Sequence, residues 1–430
     1  MASIEFQGGE NLLAAYKKNN KGTLAWSKDP AAVLIEGGGS PSGFSSFGLD
    51  GELRSKPDIA GPGGAILSAY PLAKGGYAVL GGTSMATPYV AGAHAIYYQA
   101  KKSKPRGDAT RRVFKNTATV SSNFGSKTKT SAAKQGAGLV NVLKAITTTT
   151  SITPDHLDLL DSTHFQGTQK IIIKNEGKRT ETYTLSHIAA DALNAYPDTK
   201  KTWPLGTPLI EADYATVSFS SSKVKIPAGK SVKVTLKFQE PKAGNAAHFP
   251  IYSGYVIATP ASKGGVEVQV PYTGVKGDIA KVPIADRDLK FPRFGISNAK
   301  DELISDEVTG DLVADMKTTF PTILTRMGSH SPDRQIRVYD AQKNFKGFVS
   351  SHLEGAAFGY AGRDKNVDKN NNLVFGQWVW KGKVFASANA TAPVQLPSGT
   401  YNIEVAFQHK FSKGTFPADF EVWNLGNIKF

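Results

Sequence analysis

A serine at position 84 stands in the run GGTSMATPYVAG (81–92), behind two glycines and ahead of small residues, a proline and a third glycine. A nucleophilic serine must project into solvent, with backbone N–H groups aimed at the oxygen that turns negative. A sharp strand-to-helix turn does this. Gly81 and Gly82 remove the Cβ atoms that would block a substrate, and they permit unusual dihedrals. Ser84 in the first helical turn gains unsatisfied N–H donors and the positive helix end. Pro88 cannot donate to the Ser84 carbonyl, so the first turn is loosened. Ala86, Ala91, Gly92, Ala93 and Ala95 then make a helix able to lie close against a sheet. Gly82, Thr83 and Met85 flank the serine where a substrate would lie, and Met85 beside it should be oxidisable. "GTS" alone would describe only a capped helix with a glycine-rich entrance. Local rules broken together across GTSMATP point to a functional site.

Such a serine needs a positioned base, and the base needs an orienting carboxylate. Residues 1–83 contain no histidine; the eight in the chain are at 94, 156, 164, 187, 248, 330, 352 and 409. His94 lies ten residues along the serine's own helix, roughly 15 Å of axial rise away, and reads as a helix-face or core residue. Elsewhere, Asp364, Asn366 and Asp368 alternate as a calcium loop begins. Lys369 and Phe375 occupy the places of its glycine and final acid, so the segment reads as a solvated loop and no cofactor is assigned. Asn389 in "NAT" is a lone glycosylation sequon.

The elements that must position these residues divide the chain in three. Up to about residue 150, short apolar stretches alternate with glycine turns and helical patterns: "NLLAAYKKN", "TPYVAGAHAIYYQAKK" and "GAGLVNVLKAIT" read as helices. That alternation predicts an α/β layer domain with a partial doubly wound parallel sheet. "TTTTSITPDHL" (147–157) is the boundary. Beyond it the period becomes two. Val232, Val234, Leu236 and Phe238 alternate with Ser231, Lys233, Thr235 and Lys237, and Val266, Val268 and Val270 alternate with Glu267 and Gln269. One buried and one wet face predict an antiparallel β-sandwich over 151–280. A second all-β sandwich follows over 281–430, with Tyr401, Ile403, Val405 and Phe407 on one side.

The chain has 430 residues, no cysteine and a net charge of +15. Disulfide and cysteine–metal chemistry are thereby excluded. Lysines on strand exteriors account for most of the charge, and without an Arg/Lys stripe or nucleic-acid motif no nucleic acid is expected as partner. No apolar run reaches the ~18 residues of a membrane helix. The start, MASIEFQGGENLLAAYKK, lacks a basic segment followed by an apolar core, so no secretory signal is read.

GTSMATPYVAG resembles the active-serine signature of the subtilisin-like serine proteases. The preceding stretch 42–88 and "KQGAGLVNVLKAI" (134–146) resemble the same family's corresponding region and closing helix. The arrangement is similar to large secreted multidomain members, notably the fungal minor extracellular protease type. In these a protease-associated insert comes first, and "GGENLLAAYKKNNKGTLAW" is similar to the exit from it. "ITPDHLDLLDSTHFQGTQKIIIKNEGKRTETYTLSH", "IPAGKSVKVTLKF", "YSGYVIAT" and "VPYTGVKG" resemble their fibronectin type III-like domain, and "LPSGTYNIEVAF" their terminal β domain. Three positions depart from the pattern: Gly81 stands where Ser or Asn is usual, Gly61 where Ala is, and Leu49 where Pro is.

The resemblance implies Ser84 as nucleophile, protein or peptide substrates and an extracellular setting. It also implies Asp, His and oxyanion-Asn motifs upstream of the serine, and residues 1–83 hold no Asp-Thr/Ser-Gly, no histidine and no Ala-Gly-Asn. The expectation is therefore a truncated or inactive form of a serine endopeptidase, with negligible activity of its own and aggregation of the partial α/β domain. The alternative is a non-catalytic β-sandwich protein serving adhesion or surface binding, its subtilase segment vestigial. Neither reading assigns an oligomeric state.

Overall fold

The computed structural model describes residues 13–14, 16–18, 37–102, 107–196, 204–306, 308, 311–351, 359–361 and 372–430. The chain divides into two units, Met1–Gly38 and Gly39–Phe430. In the first, Leu13, Ala14, Tyr16, Lys17 and Lys18 are helical, in line with the pattern of "NLLAAYKKN". Asp364, Asn366 and Asp368, read from the sequence as a solvated loop, and His352 lie outside the described residues. Everything below concerns the second unit.

Its first elements are an antiparallel hairpin, β1 (Ile66–Ala69) and β2 (Tyr77–Leu80), then helix α1 (Thr83–Lys101). Helices α2 (Gly107–Thr117), α3 (Ala132–Gln135) and α4 (Val142–Thr147) follow. Ser131 and Asn141 cap the last two, their side-chain oxygens accepting from Ala133 and Lys144 N–H. Ala93 and Tyr97 of α1 recur one helical turn apart and pack with Phe114, Val140 and Ala145 into a small core. Of the parallel sheet expected here, the described residues contain one isolated parallel bridge, Ala60 to Leu139.

The strands between residues 150 and 429 form two sandwiches. In the first, one sheet runs β3 (Thr150–Thr153), β5 (Thr168–Asn175), β10 (Ser231–Gln239), β8 (Thr216–Phe219). The other runs β4 (Leu157–Asp161), β12 (Val268–Val275), β11 (Ile251–Pro260), β6 (Glu181–Asn194), β7 (Leu209–Glu211), with β9 (Lys223–Ile226) also on β6. Ile171, Ile173, Val234, Leu236 and Phe238 meet Val256, Val268 and Val270 in the core between them. The alternation in β10 is kept, with Val234, Leu236 and Phe238 buried and Lys233 and Lys237 exposed.

In β12 it is not. All eight residues are buried, and Gln269, expected on a wet face, is 3% exposed. Residues 116–137 cover that face. Asn116 Nδ2 donates to the Gln269 carbonyl at 3.0 Å, and Gln269 Nε2 donates to the Ala118 carbonyl at 3.1 Å and to that of Ala137. Ser131 and Ser253 hydroxyls meet at 3.0 Å, and Tyr255 O–H donates to the Gly136 carbonyl at 3.1 Å. A polar residue at a strand position can thus mark a satisfied junction rather than solvent.

The second sandwich pairs β14 (Leu303–Ser305), β13 (Arg293–Asn298), β16 (Thr319–Thr325) and β20 (Gly376–Val379) in one sheet. The other holds β15 (Leu312–Val313), β24 (Phe420–Lys429), β23 (Thr400–Gln408), β17 (Ser331–Asp340) and β18 (Phe345–Phe348), with β19 (Gly359–Ala361) on β17. A two-stranded ribbon, β21 (Lys383–Val384) and β22 (Val394–Gln395), packs Val384 into the same core, and Phe385 beside it bridges to Phe348 of β18. Tyr401, Ile403, Val405 and Phe407 fill the core with Trp380, Ile336 and Val338, as their alternation predicts.

Candidate active site

Ser84 is the second residue of α1, and it is exposed. Helix α1 starts directly after Gly82, so the Thr83 and Ser84 N–H groups have no intrahelical carbonyl to reach. Met85 N–H turns back to the Gly82 carbonyl at 3.0 Å. Thr87 Oγ1 donates to the Thr83 carbonyl at 2.9 Å, and Pro88 sits inside the helix where it withholds a donor from Ser84. The entrance is anchored by a loop from below: Gly82 N–H donates to the Gly63 carbonyl at 2.7 Å. That approach needs a glycine. A Cβ on Gly63 would lie 2.8 Å from the Gly82 carbonyl oxygen and 3.1 Å from Ala86 Cβ. Gly82 and Met85 are half-buried and Thr83 is exposed.

The two glycine departures differ physically. A Cβ on Gly61 would stand 2.9 Å from Val90 Cγ2 of α1, so here the smaller residue matches closer packing. A Cβ on Gly81 would meet Phe44 Cε1 at 3.5 Å and the Ala65 nitrogen at 3.6 Å, ordinary contacts that leave room for a side chain.

Among the described residues no histidine or carboxylate bonds the Ser84 hydroxyl. His94 is turned to its own helix: Nδ1 lies 2.8 Å from the Val90 carbonyl, and the ring rests 4.5 Å from that of Phe114. His164 pairs with Asp161 at 2.7 Å, and His187 Nε2 with the Tyr272 hydroxyl at 2.8 Å.

His156 is the most strongly engaged. Nδ1 is 2.6 Å from Asp155 and Nε2 3.3 Å from Asp158, and these hydrogen bonds raise it to about 9. Burial pushes the Asp155 carboxyl up, but the His156 hydrogen bond with the Lys115 and Arg111 charges holds it well below the usual range. Ser55 Oγ donates to Asp158 at 2.8 Å, so a serine, a carboxylate and a histidine do meet here. Their order is wrong for acyl transfer. The carboxylate lies between the other two, and the imidazole cannot take the serine proton. Lys115, buried and 3.0 Å from Asp58, completes an ion cluster between α2 and the start of β4. Asp155, His156 and Asp158 are close in sequence, but Ser55, Asp58 and Lys115 join them from far along the chain.

Asn389 is exposed in a turn, where a sequon can be reached. No helix among the described residues is long and apolar enough to cross a membrane.

Residues 19–138 match the model of the Subtilase family, and residues 158–273 that of the Fn3-like domain. The chain is 28% identical over 312 residues to a C5a peptidase of Streptococcus pyogenes serotype M18 (strain MGAS8232), covering 67% of this chain and 26% of that protein. It is 27% identical over 264 residues to the PI-type proteinase of Lactococcus lactis subsp. cremoris, covering 55% of this chain and 13% of that one. The chain thus spans about a quarter or less of the length of these curated relatives, which are bacterial.

Proposed function

We propose that this chain, a subtilase-family segment joined to an Fn3-like domain, is the serine-bearing part of a serine endopeptidase. Ser84 is the nucleophile, and its own N–H is one donor to the oxyanion of the tetrahedral intermediate. Gly82, Thr83 and Met85 border the scissile peptide. One observation carries the reading: an exposed serine two residues into a 19-residue helix, behind a glycine turn, inside the stretch that matches the family. Fifteen ångströms of helix separate His94 from it by the ~1.5 Å rise per residue, so His94 is not the base. The base, its carboxylate and the oxyanion asparagine come from polypeptide beyond these 430 residues, and this chain alone hydrolyses no peptide at a measurable rate.

The reading takes the chain as three parts, 1–150, 151–280 and 281–430, working outside the cell on protein substrates. Asn389 is available for a glycan there. Of the multidomain types, the fungal minor extracellular protease remains our finer likeness, on the motifs quoted above.

A fluorophosphonate probe tests the reading. Incubated with this chain plus a separately produced subtilase segment bearing the Asp, His and Asn motifs, it should label Ser84 and leave Ser84→Ala unlabelled. Silence from a folded, reconstituted sample would favour the non-catalytic adhesion reading.

A further inference from the structure

A cavity of about 680 Å³ lies between the loop 43–53, the ends of β6 and β12, and residues 328–330 with Lys410. That volume is in the range that holds small organic ligands. One part of its wall is apolar: Leu53, Phe249, Ile251 and Val275 belong to one hydrophobic cluster that borders it. At one end stands Lys410, 6% exposed. Among the described residues its ammonium has no carboxylate within ion-pair distance; its partner is Ser329, whose Oγ accepts from Nζ at 2.5 Å.

A buried ammonium without a counter-charge is costly, and native structures normally supply one. Among the described residues, two of its three N–H donors have no acceptor. Ser329, accepting from Lys410, keeps its own O–H hydrogen to donate. Both donors line the cavity, which also has an apolar wall.

The other titratable groups that face this end do not neutralise it. Asp50 accepts from the Glu52 and Arg54 N–H groups at 3.0 and 2.9 Å and from Arg54 Nε at 2.8 Å. His330, pushed down to about 4 by burial and by the Lys410 charge, is neutral at pH 7. Gly51 makes its seat, since a Cβ there would lie 2.5 Å from His330 Cδ2. Tyr196, from beyond the end of β6, donates its O–H to the Gly328 carbonyl at 3.4 Å.

We propose that this cavity binds an apolar monocarboxylate, its carboxylate held by the Lys410 ammonium and the Ser329 hydroxyl and its hydrocarbon body by the apolar wall. Neither Lys410 nor Ser329 belongs to the serine turn, although Phe44, which stands against Gly81, also lines the cavity. Burial lowers Lys410 to about 8, so the ammonium that attracts the carboxylate is present at neutral pH and is lost as the pH climbs beyond that value.

Calorimetric titration of the whole chain with octanoate and with octanamide tests this. Octanoate should bind at least about tenfold tighter at pH 7, the ratio expected of a charge-assisted hydrogen bond. Lys410→Met, of similar length and apolar, should fold at least as stably and abolish that preference; Ser329→Ala should weaken octanoate alone. The preference should fade between pH 7 and pH 10. Equal binding of the two probes, no binding of either, or octanoate binding untouched by Lys410→Met would overturn the proposal.

Discussion

Gly63 and Gly81 both stand at the serine turn, yet they answer to different demands. At Gly63 an added Cβ would press on the Gly82 carbonyl and on Ala86, backbone and helix that cannot withdraw without moving the start of α1. Gly63→Ala should cost roughly 1–3 kcal/mol, as overpacking does, and should reduce probe labelling of Ser84 in the reconstituted enzyme. Gly81→Ser should leave stability within about 0.5 kcal/mol, since its Cβ would have only ordinary contacts. Urea unfolding of both variants checks the contrast; an equal loss in the two would mean that the turn is not held as described. The serine itself draws little from tertiary packing. Its exposure and free N–H groups follow from its place two residues into a helix.

At the scale of elements, the junction between the helical segment and the first sandwich decides which faces are wet. Asn116 joins three elements: its amide donates to the Gln269 carbonyl, and its Oδ1 accepts from Ile152 N–H at 2.9 Å. Both partners are buried backbone groups with no water to replace the asparagine. Asn116→Ala should therefore destabilise the chain by roughly 2–4 kcal/mol, measured by chemical denaturation, whereas a loss under about 0.5 kcal/mol would argue against a joined packing of α2, β3 and β12. By contrast, Leu67, Leu72, Tyr77 and Val79 of the β1–β2 hairpin region, and Tyr89 and Ile96 of α1, are exposed. An apolar surface of this kind favours association, which is the physical basis of the aggregation expected from the sequence.

At the scale of the whole molecule, one ion cluster sits where the helical segment meets the first sandwich. The Asp58, Lys115, Asp155, His156 and Asp158 cluster ties α2 to β4, and its histidine is raised to about 9. A group whose pKa is raised on folding binds its proton more tightly in the folded state. Its contribution is complete below the unfolded value of about 6.5 and disappears as the pH rises to about 9. The advantage is on the order of 3 kcal/mol. His156→Gln should accordingly be much less stable than the unaltered chain at pH 6, and the gap should close by pH 9. Thermal melts at the two pH values measure it. Lys410 works in the opposite direction, its burial penalty relieved as the pH rises from about 8, so the comparison must be between variants at each pH rather than along one curve.

Ser84, its glycine turn and the sandwich strands were legible because each is a local pattern: GTSMATP sets a turn and a helix start within seven residues, and Val234, Leu236 and Phe238 alternate along one strand. The absence of a histidine before the serine was equally plain from the order of residues. What remained hidden was non-local. Gln269 has the polarity of a solvated strand position, and only the packing of residues 116–137 onto β12 buries it. His156 acquires its two carboxylates from chain neighbours but its lysine from 41 residues away, and Lys410 faces Ser329 across 81. Local sequence determines dihedral preferences and which face of an element is apolar; which polar side chains lose their water is decided by what packs against them.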